Sequence, residues 1–389
     1  MKQRIVVVGA GYAGLTVAGR LARRVDRQDV EITLVTPVNH FVERVRMHQL
    51  ATGGQLAVKQ LPDLLAGTGV IVRLGTVTEI RADEDALTLA DGTRLDYDTL
   101  VHTAGSTDAQ RLPGEADHAF HIASEPAALR LRDRLRRHRP DDGPVVVVGG
   151  GMTGIELATE IAESRPELRV VMVAGGEVGG WLSPKARDYL AGALDRLGIR
   201  TVERVQVVRI GGDRVELADG EHVASGLTVC TTGFAVHPLA AASTLHTTDA
   251  GQIVVDRSFR SVSHPNVYAA GDTAFALGPN DKPLRMSCAS GVPGAWQAAD
   301  AIAARLTGRA VPHTLLRYFQ QNISLGRRDG IVQFVTADDT VKPRVLTGRA
   351  AVRYKEFVCR AALWSMGHPI PYPVRSRQVV TTSRATVAR

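Results

Sequence analysis

The chain has 389 residues, and its 47 Lys and Arg against 40 Asp and Glu give a formal net charge of +7. A hydrophobic fraction of 44% and a charged fraction of 22% exclude a disordered or fibrous protein, and the length predicts two or three domains. Cys230, Cys288 and Cys359 stand far apart, so we expect no disulfide scaffold, no metal site and a reducing, cytoplasmic setting.

Two charged segments suggest other classes of protein, which their context then disfavours. Residues 1–8 are basic and then apolar, like an export signal, but glycines follow at once, which favours a buried strand and a helix. No apolar run reaches the ~20 residues that span a bilayer. Residues 130–139 are rich in arginine, but Leu131 and Leu135 recur at helical spacing, which predicts a helix with a solvated face. No nucleic-acid motif accompanies it, so we expect no nucleic-acid partner.

One pattern of strand, glycines and helix occurs twice. Residues 5–8 lead into the GxGxxG motif at 9–14, and residues 145–148 lead into a second one at 149–154. In such a motif the first glycine allows the turn, the second lets a pyrophosphate approach, and the third lets helix and strand pack closely. The helix N-terminus then offers free N–H groups to the phosphates. We therefore expect two dinucleotides, one a flavin and the other a nicotinamide.

Turn signals complete the predicted architecture. Asp91-Gly92 and Asp219-Gly220 predict hairpins, and hence small antiparallel sheets inserted into each unit. The predicted fold class is α/β, with two Rossmann-like dinucleotide-binding domains and a C-terminal α+β portion. The predicted domains are residues 1–111 with 237–315, residues 112–236, and residues 316–389, the last as an interface or substrate region.

Four motifs resemble those of one family. They are residues 9–14, residues 97–105, residues 149–154 followed by Ile155 and Glu156, and residues 266–272. Residues 231–234 occupy the strand that matches 97–105 in the second unit. Together they resemble the pyridine nucleotide–disulfide oxidoreductase superfamily, and within it the type II NADH dehydrogenase-like branch, over about residues 1–310. The resemblance implies FAD in the first site and NADH or NADPH in the second.

The resemblance also implies the residues that hold each cofactor; in the family, the acid at Asp272 binds the flavin ribityl chain. For FAD the candidates are Gly9, Gly11, Tyr12, Ala13, Gly14, Thr36, Pro37, Arg44, Gln49, Val77, Ala104, Gly105, Gly271, Asp272, Ala289 and Val292. For NAD(P) they are Gly149, Gly151, Met152, Thr153, Gly154, Glu177 and Gly233.

Catalytic candidates follow from the same resemblance. Glu156 begins the helix after the nicotinamide glycines, so it would position the nicotinamide or relay a proton; its alternative role is a first-turn acid that favours the helix dipole. Arg44, Arg46, His48 and Gln49 lie where the branch passes along the flavin, and His48 is the second catalytic candidate. Salt bridges and capping are the alternative for this segment.

The sequence departs from the family at both ribose positions. An acid usually ends the second strand of each unit to bind ribose hydroxyls, but Thr36 stands there in the first unit and about Ala174 in the second. Glu177, reaching the ribose from the loop, would favour NADH. The coenzyme, and whether the nicotinamide site is used at all, therefore stay open.

The acceptor side also departs from the family. Quinone-reducing members carry AQxxxQ after the motif at 266–272, and residues 287–297 lack the paired glutamines. A helix after Pro293 is expected to direct its N-terminus at the flavin, with 289–293 in contact. Residues 350–366 predict a helix with Phe357 and Trp364 on one side, as a packed or dimer face or a peripheral membrane contact.

These observations predict an FAD-dependent NAD(P)H oxidoreductase that passes a hydride to a small organic or quinone-like acceptor. One alternative is a flavin oxidase or dehydrogenase that acts directly on a metabolite, without the nicotinamide site. Another is a ferredoxin- or rubredoxin-type reductase whose basic surface docks an acidic carrier. The non-enzyme alternative is a flavin-bearing sensor or a nucleic-acid binder.

Overall fold

The computed structural model describes residues 2–312, 316–367 and 377–380. Within these ranges the α-helices are α1 (Tyr12–Ala22), α2 (Met47–Ala51), α3 (Leu61–Leu64), α4 (Glu115–His118), α5 (Glu125–Arg137), α6 (Met152–Ser164), α7 (Pro184–Arg196), α8 (Cys288–Leu306) and α9 (Gly348–Gly367). None of these described helices is both long enough and apolar enough to cross a membrane.

The first domain is built on a five-stranded parallel sheet. Its strands run in the spatial order Val267–Ala269, Thr99–His102, Gln3–Val8, Val30–Thr36 and Ile71–Leu74. Residues 5–8 of the middle strand are buried, as β-branched residues are in a sheet covered on both faces. α1 packs against α8 and α9. The strand order reverses at Gln3–Val8, so a ligand crevice is expected at the carboxyl end of this strand.

The second domain repeats this arrangement. Its parallel strands run in the order Ala119–Phe120, Leu227–Cys230, Val145–Val148, Val170–Val173 and Arg200–Val202. Residues 145–148 are fully buried in the middle of the sheet, as residues 5–8 are in the first domain. The two GxGxxG motifs therefore stand at equivalent places in the two sheets.

Small antiparallel sheets stand beside the parallel ones, as the turn signals predicted. Asp91-Gly92 and Asp219-Gly220 lie at hairpin turns, with φ of +80° at Gly92 and +90° at Gly220, a region that favours glycine. One small sheet consists of Val77–Arg81, Ala86–Leu89 and Arg94–Asp96, and the other of Val207–Ile210, Arg214–Leu217 and His222–Ala224. Two further antiparallel pairs are Ser106–Asp108 with Phe234–Val236 and His40–Phe41 with Lys59–Gln60, and Ile253–Val254 forms a parallel pair with Ala274–Phe275.

The C-terminal part is an antiparallel sheet followed by a long helix. Strands Gln320–Ser324, Gly330–Val335 and Val341–Thr347 pack against α6 and α7, and α9 packs against both this sheet and α1. This layer therefore contacts both dinucleotide-binding domains. The predicted α/β fold with a C-terminal α+β portion is confirmed, while the domain boundaries stay a prediction.

Two expectations about helices need correction. α8 begins at Cys288, so Pro293 lies inside it as the sixth residue and not at its start. α9 is present and packs, but Phe357 is 67% and Trp364 is 52% exposed, so these two rings do not lie on its buried face. The opposite face of α9, with Ala351 and Met366, is the buried one. A dimer face or membrane contact stays a prediction.

Candidate functional site

The first GxGxxG motif leaves space at only one of its three glycines. A Cβ at Gly9 would lie 2.5 Å from the carbonyl oxygen of Thr103, and one at Gly14 would lie 1.8 Å from that of Gly9. At Gly11, which precedes α1, a Cβ would meet nothing within 4 Å among the described residues. An open cradle at a helix N-terminus fits a pyrophosphate, so the residues present fit a bound dinucleotide.

The second motif has the same geometry. A Cβ at Gly149 would lie 2.5 Å from Oγ1 of Thr231, and one at Gly154 would lie 2.0 Å from the carbonyl oxygen of Gly149. Gly151, which precedes α6, again faces open space among the described residues. Met152 and Thr153 form the first turn of α6, as expected for residues beside the coenzyme phosphates.

Beside each motif, one threonine hydroxyl donates a hydrogen bond to the strand that precedes the glycines. Neither threonine was predicted from the sequence. The hydroxyl of Thr103 donates to the carbonyl oxygen of Val8 at 2.7 Å, and that of Thr231 donates to Val148 at 3.0 Å. Each follows the strand that returns beside the glycine turn. The signal was available, because the threonine recurs at the same place in both units.

At the ribose position predicted for the first domain, Thr36 is buried and begins a turn whose next residues, Pro37 and Val38, are exposed. The hydroxyl of Thr36 donates to the carbonyl oxygen of Val38 at 3.2 Å, and the carbonyl of Thr36 accepts from Gly75 at 2.9 Å. Pro37 lies between Thr36 and Val38, and Val77 is buried at the start of the strand Val77–Arg81. Thr36, Pro37 and Val77 are thus close together, although a ribose-binding role for them stays a prediction.

Asp272 and Arg44 meet at the other end of this crevice. Ser106 donates its hydroxyl to Asp272 at 2.5 Å, and Nη1 of Arg44 lies 3.6 Å from the same carboxylate. The Arg44 guanidinium stacks over Phe234 at 5.0 Å. Burial lowers the pKa of Arg44, against the charges of Asp272 and Asp108. Its Nη2 is buried without a hydrogen-bond partner among the described residues, which fits a polar cofactor atom at this place.

The start of α8 closes on this crevice. A Cβ at Gly271 would lie 3.1 Å from Cβ of Ala13, and one at Gly291 would lie 3.4 Å from Cα of Gly271. Val292 is buried, whereas Ala289 is exposed in the first turn of the helix. The residues expected near the flavin are therefore gathered here, together with Ala104 and Gly105, which continue from Thr103. A Cβ at Gly105 would lie 3.8 Å from Arg44.

Glu156 is held by the C-terminal layer rather than standing free. Its Oε1 accepts from the backbone N–H of Ser324 at 2.9 Å and from the ammonium of Lys355, which also donates to the Ser324 hydroxyl at 2.7 Å. Burial acts to raise the pKa of Glu156, but Lys355, His48 and these hydrogen bonds outweigh it and lower the pKa. The carboxylate is thus held in its charged form. Neither Lys355 nor Ser324 was predicted from the sequence.

His48 lies under the same carboxylate. Its Nδ1 is 3.7 Å from Oε2 of Glu156, and its Nε2 is buried without a hydrogen-bond partner in the described part of the chain. Burial lowers the pKa of His48 to about 4, although Glu156 acts in the opposite direction. The imidazole is therefore neutral near pH 7. The structure brings the two catalytic candidates, Glu156 and His48, together; their roles stay predictions.

A cavity of about 110 Å³ opens above this cluster. Its lining comes from the segment after Arg44, from the C-terminal sheet and from α9: Val45, Arg46, Gln49, Ile323, Ser324, Gly326, Arg327, Val352, Lys355, Glu356 and Cys359. We call this cavity the chamber. Arg46 spans its wall, with Nη2 2.7 Å from Glu356 and Nη1 3.4 Å from Gln49.

Tyr12 is a buried-hydroxyl residue within the first GxGxxG motif. It starts α1, and its ring meets Phe41 edge-on at 5.0 Å. Burial raises the pKa of Tyr12, and the thiols of Cys288 at the start of α8 and Cys359 in the chamber wall act in the same direction.

Glu177 lies in the loop after the strand Val170–Val173, where the sequence predicts the adenosine ribose. Its carboxylate pairs with Arg187 at 3.0 Å and with Arg204. Arg204 lowers the pKa of Glu177, with Arg187 acting in the same direction.

Gly233 has φ of +136°, and a Cβ there would meet nothing within 4 Å in the described ranges.

Two equivalent dinucleotide cradles, one at the start of α1 and one at the start of α6, define the class of two-dinucleotide flavoprotein reductases. The chain belongs to the pyridine nucleotide-disulphide oxidoreductase family, whose sequence model matches residues 3–303. It is 31% identical over 315 residues to the NADH dehydrogenase-like protein Rv1812c of Mycobacterium tuberculosis, covering 75% of this chain and 77% of that protein.

Two further likenesses agree. Demethylphylloquinone reductase NdbB of Synechocystis is 28% identical, with 85% of this chain and 86% of that protein covered. The structure of NDH2 from Plasmodium falciparum in complex with NADH matches the fold with a TM-score of 0.78 at 15% identity, over 95% of this chain and 99% of that one. The predicted family is confirmed: the protein is an NADH dehydrogenase-like oxidoreductase that uses FAD and a nicotinamide coenzyme.

Proposed function

We propose that the protein passes electrons from NAD(P)H to a small organic, quinone-like acceptor that binds in the chamber. The observation that carries this proposal is the position of the chamber, whose lining includes Lys355 and the Ser324 backbone that holds Glu156. The likeness to demethylphylloquinone reductase supports an acceptor of this class, although the chain lacks the paired glutamines at 287–297.

The protein's own task is to hold two reactants in register and to move a proton. Bound FAD would supply the hydride chemistry between coenzyme and acceptor. The cradles at Gly11 and Gly151 would hold the two pyrophosphates, and holding reactants in register is worth roughly 7–11 kcal/mol of barrier. Asp272 and Arg44 would bind the polar chain of the flavin.

Lys355 and Glu156 would serve the acceptor oxygen. Lys355 is a hydrogen-bond donor in the chamber wall, so it would stabilise negative charge that develops on a carbonyl oxygen of the acceptor. Lys355 carries the proton, so it would donate it to that oxygen and regain one from water in the chamber, while the charged Glu156 beside it would orient the ammonium. His48 stays neutral and would fix the Glu156 carboxylate without neutralising it.

The chamber favours a small acceptor over a protein carrier. A ferredoxin-type carrier would dock on an outer surface, such as the exposed arginines of α5. The chamber instead lies beneath α9. The Lys355 ammonium and the Glu156 carboxylate behind it are both largely buried, at 15% and 13% side-chain exposure. We further propose that the protein acts in the cytoplasm, because its thiols are unpaired among the described residues.

The test is an anaerobic stopped-flow experiment on the FAD-loaded protein. NADH and NADPH are mixed in separately, and flavin absorbance is followed; water-soluble quinones are then added to the bleached protein. Bleaching by a coenzyme and rapid recovery with a quinone are expected. A yellow protein that neither coenzyme bleaches would overturn the proposal in favour of direct oxidation of a metabolite. Recovery with a ferredoxin but with no quinone would favour a carrier.

A further inference from the structure

The adenosine end of the second motif lacks the acid that NAD sites place at the end of the second strand. Ala174 stands there, and a Cβ on Gly150 would lie 2.8 Å from its methyl group, so the position is packed against the glycine turn. An acid at this place would bind the ribose 2′-hydroxyl of NAD. The structure therefore leaves recognition of the 2′ position to the loop that follows.

In that loop, the Glu177 carboxylate is paired with two guanidinium groups. Arg187 on α7 lies 3.0 Å from one oxygen of Glu177, and Arg204 contacts the other oxygen. Arg204 is held on the loop by its own backbone, because its N–H donates to the carbonyl oxygen of Gly176 at 3.2 Å. Its φ of +59° is uncommon for a residue with a side chain. Strained residues of this kind cluster at binding sites.

The other acid near this loop, Glu203, already accepts a hydrogen bond from the backbone. Oε1 of Glu203 accepts the N–H of Val178 at 2.8 Å, which fixes the turn that carries Glu177. Glu177 is therefore the carboxylate that faces both arginines. With 35% of its side chain exposed, and 73% of that of Arg204, this ion pair is accessible to solvent and weak.

We propose that Arg187 and Arg204 bind the 2′-phosphate of NADPH, and that Glu177 is the internal anion which this phosphate displaces. The inference rests on the proposed function and specifies its coenzyme. A phosphate monoester carries about two negative charges and three acceptor oxygens at pH 7, and it matches guanidinium forks better than one carboxylate does. Because exposed ion pairs are weak, the displacement costs little. The site would thus prefer NADPH to NADH, the reverse of the preference that Glu177 suggested in the sequence.

Binding is measured separately from turnover. The FAD-loaded protein is titrated by calorimetry with ADP-ribose and with its 2′-phosphorylated form, neither of which can donate a hydride. We expect the phosphorylated ligand to bind about tenfold more tightly at low salt. Arg204→Gln should abolish that difference with little change for ADP-ribose. Glu177→Gln should increase it, because the competing anion is lost.

The control is Arg209→Gln, an exposed arginine in the strand Val207–Ile210 that does not contact Glu177. It should leave the ratio of the two affinities unchanged. Equal affinities in the wild type, or a ratio unchanged by Arg204→Gln, would overturn the inference. If the ratio behaves as expected but neither coenzyme bleaches the flavin, the proposed function fails while the inference stands.

Discussion

Glu156 and Lys355 form an ion pair across 199 residues of sequence. Glu156 lies in α6 of the second domain, Lys355 lies in α9, and His48 of the first domain lies 3.7 Å from the same carboxylate. Three parts of the chain therefore meet at one charged group. Removing one partner of such a pair leaves the other charge buried and uncompensated, which costs far more than losing an exposed pair.

We expect Lys355→Met to slow the reaction with the acceptor by about 100-fold, a typical contribution of a positioned proton donor. Lys355 is the strongest of the groups that lower the pKa of Glu156. Without it, burial raises that pKa, and the carboxyl group becomes protonated at a higher pH. Stopped-flow recovery of flavin absorbance, measured against pH, should show this inflection shifted upward.

The matched control for that experiment is Lys342→Met, in the exposed part of the strand Val341–Thr347. It should leave both half-reactions unchanged. Bleaching by the coenzyme should also be unchanged in Lys355→Met. If bleaching slows as much as recovery, the pair serves the nicotinamide and not the acceptor.

His48 makes the protein sensitive to acid. Its ordinary pKa is 6.5, and burial lowers it to about 4 in the folded state, so the unfolded chain binds an extra proton between these values. The stabilising contribution is complete above pH 6.5 and is lost as the pH falls toward 4. Lys355, Arg327 and Arg46 reinforce the low pKa, and Glu156 opposes it.

His48→Gln should therefore reduce the slope of unfolding free energy against pH by up to about 1.4 kcal/mol per pH unit in this window. Urea unfolding at a series of pH values measures the slope. His102 is also buried with a pKa of about 4, so the wild-type slope contains both residues and His102→Gln provides an independent comparison. An unchanged slope in His48→Gln would show that the imidazole is already charged in the folded protein.

The glycines of each cradle should separate binding from folding. Gly14→Ala would place a methyl group 1.8 Å from a carbonyl oxygen, so the variant should be strongly destabilised. Gly11→Ala and Gly151→Ala introduce no clash with the described protein, so both should fold normally. Gly11→Ala should lose FAD, while Gly151→Ala should stay yellow and lose reduction by the coenzyme. Thermal unfolding and the flavin-to-protein absorbance ratio distinguish these results.

The sequence was sufficient to predict the elements whose cause is local. The glycine motifs, the buried strands at 5–8 and 145–148, and the hairpin turns each depend on a few neighbouring residues, and the structure has all of them. The partner of Glu156 could not be predicted in this way. Lys355 reaches it only because α9 packs across α1 and the C-terminal sheet, a long-range contact without a periodic signal.

The α8 start illustrates a second limit. Proline at 293 suggested a helix boundary, yet the helix begins at Cys288, because close packing of Gly291 on Gly271 favours an earlier start. Tertiary contacts outweighed a local preference there. Thr103 and Thr231 were missed for a different reason: their role shows only when the two units are compared.

The chamber provides the last prediction. Val352 lines it from α9, so Val352→Phe would fill space that an acceptor needs while adding only apolar atoms. We expect KM for a quinone to rise about tenfold or more, with the rate of bleaching by the coenzyme unchanged. Ala350→Phe is the matched control, because this residue is exposed on the same helix. Steady-state kinetics with several quinones should show that the larger ring systems lose the most. An unchanged KM for all of them would place the acceptor outside the chamber, and a protein carrier would then be the stronger candidate.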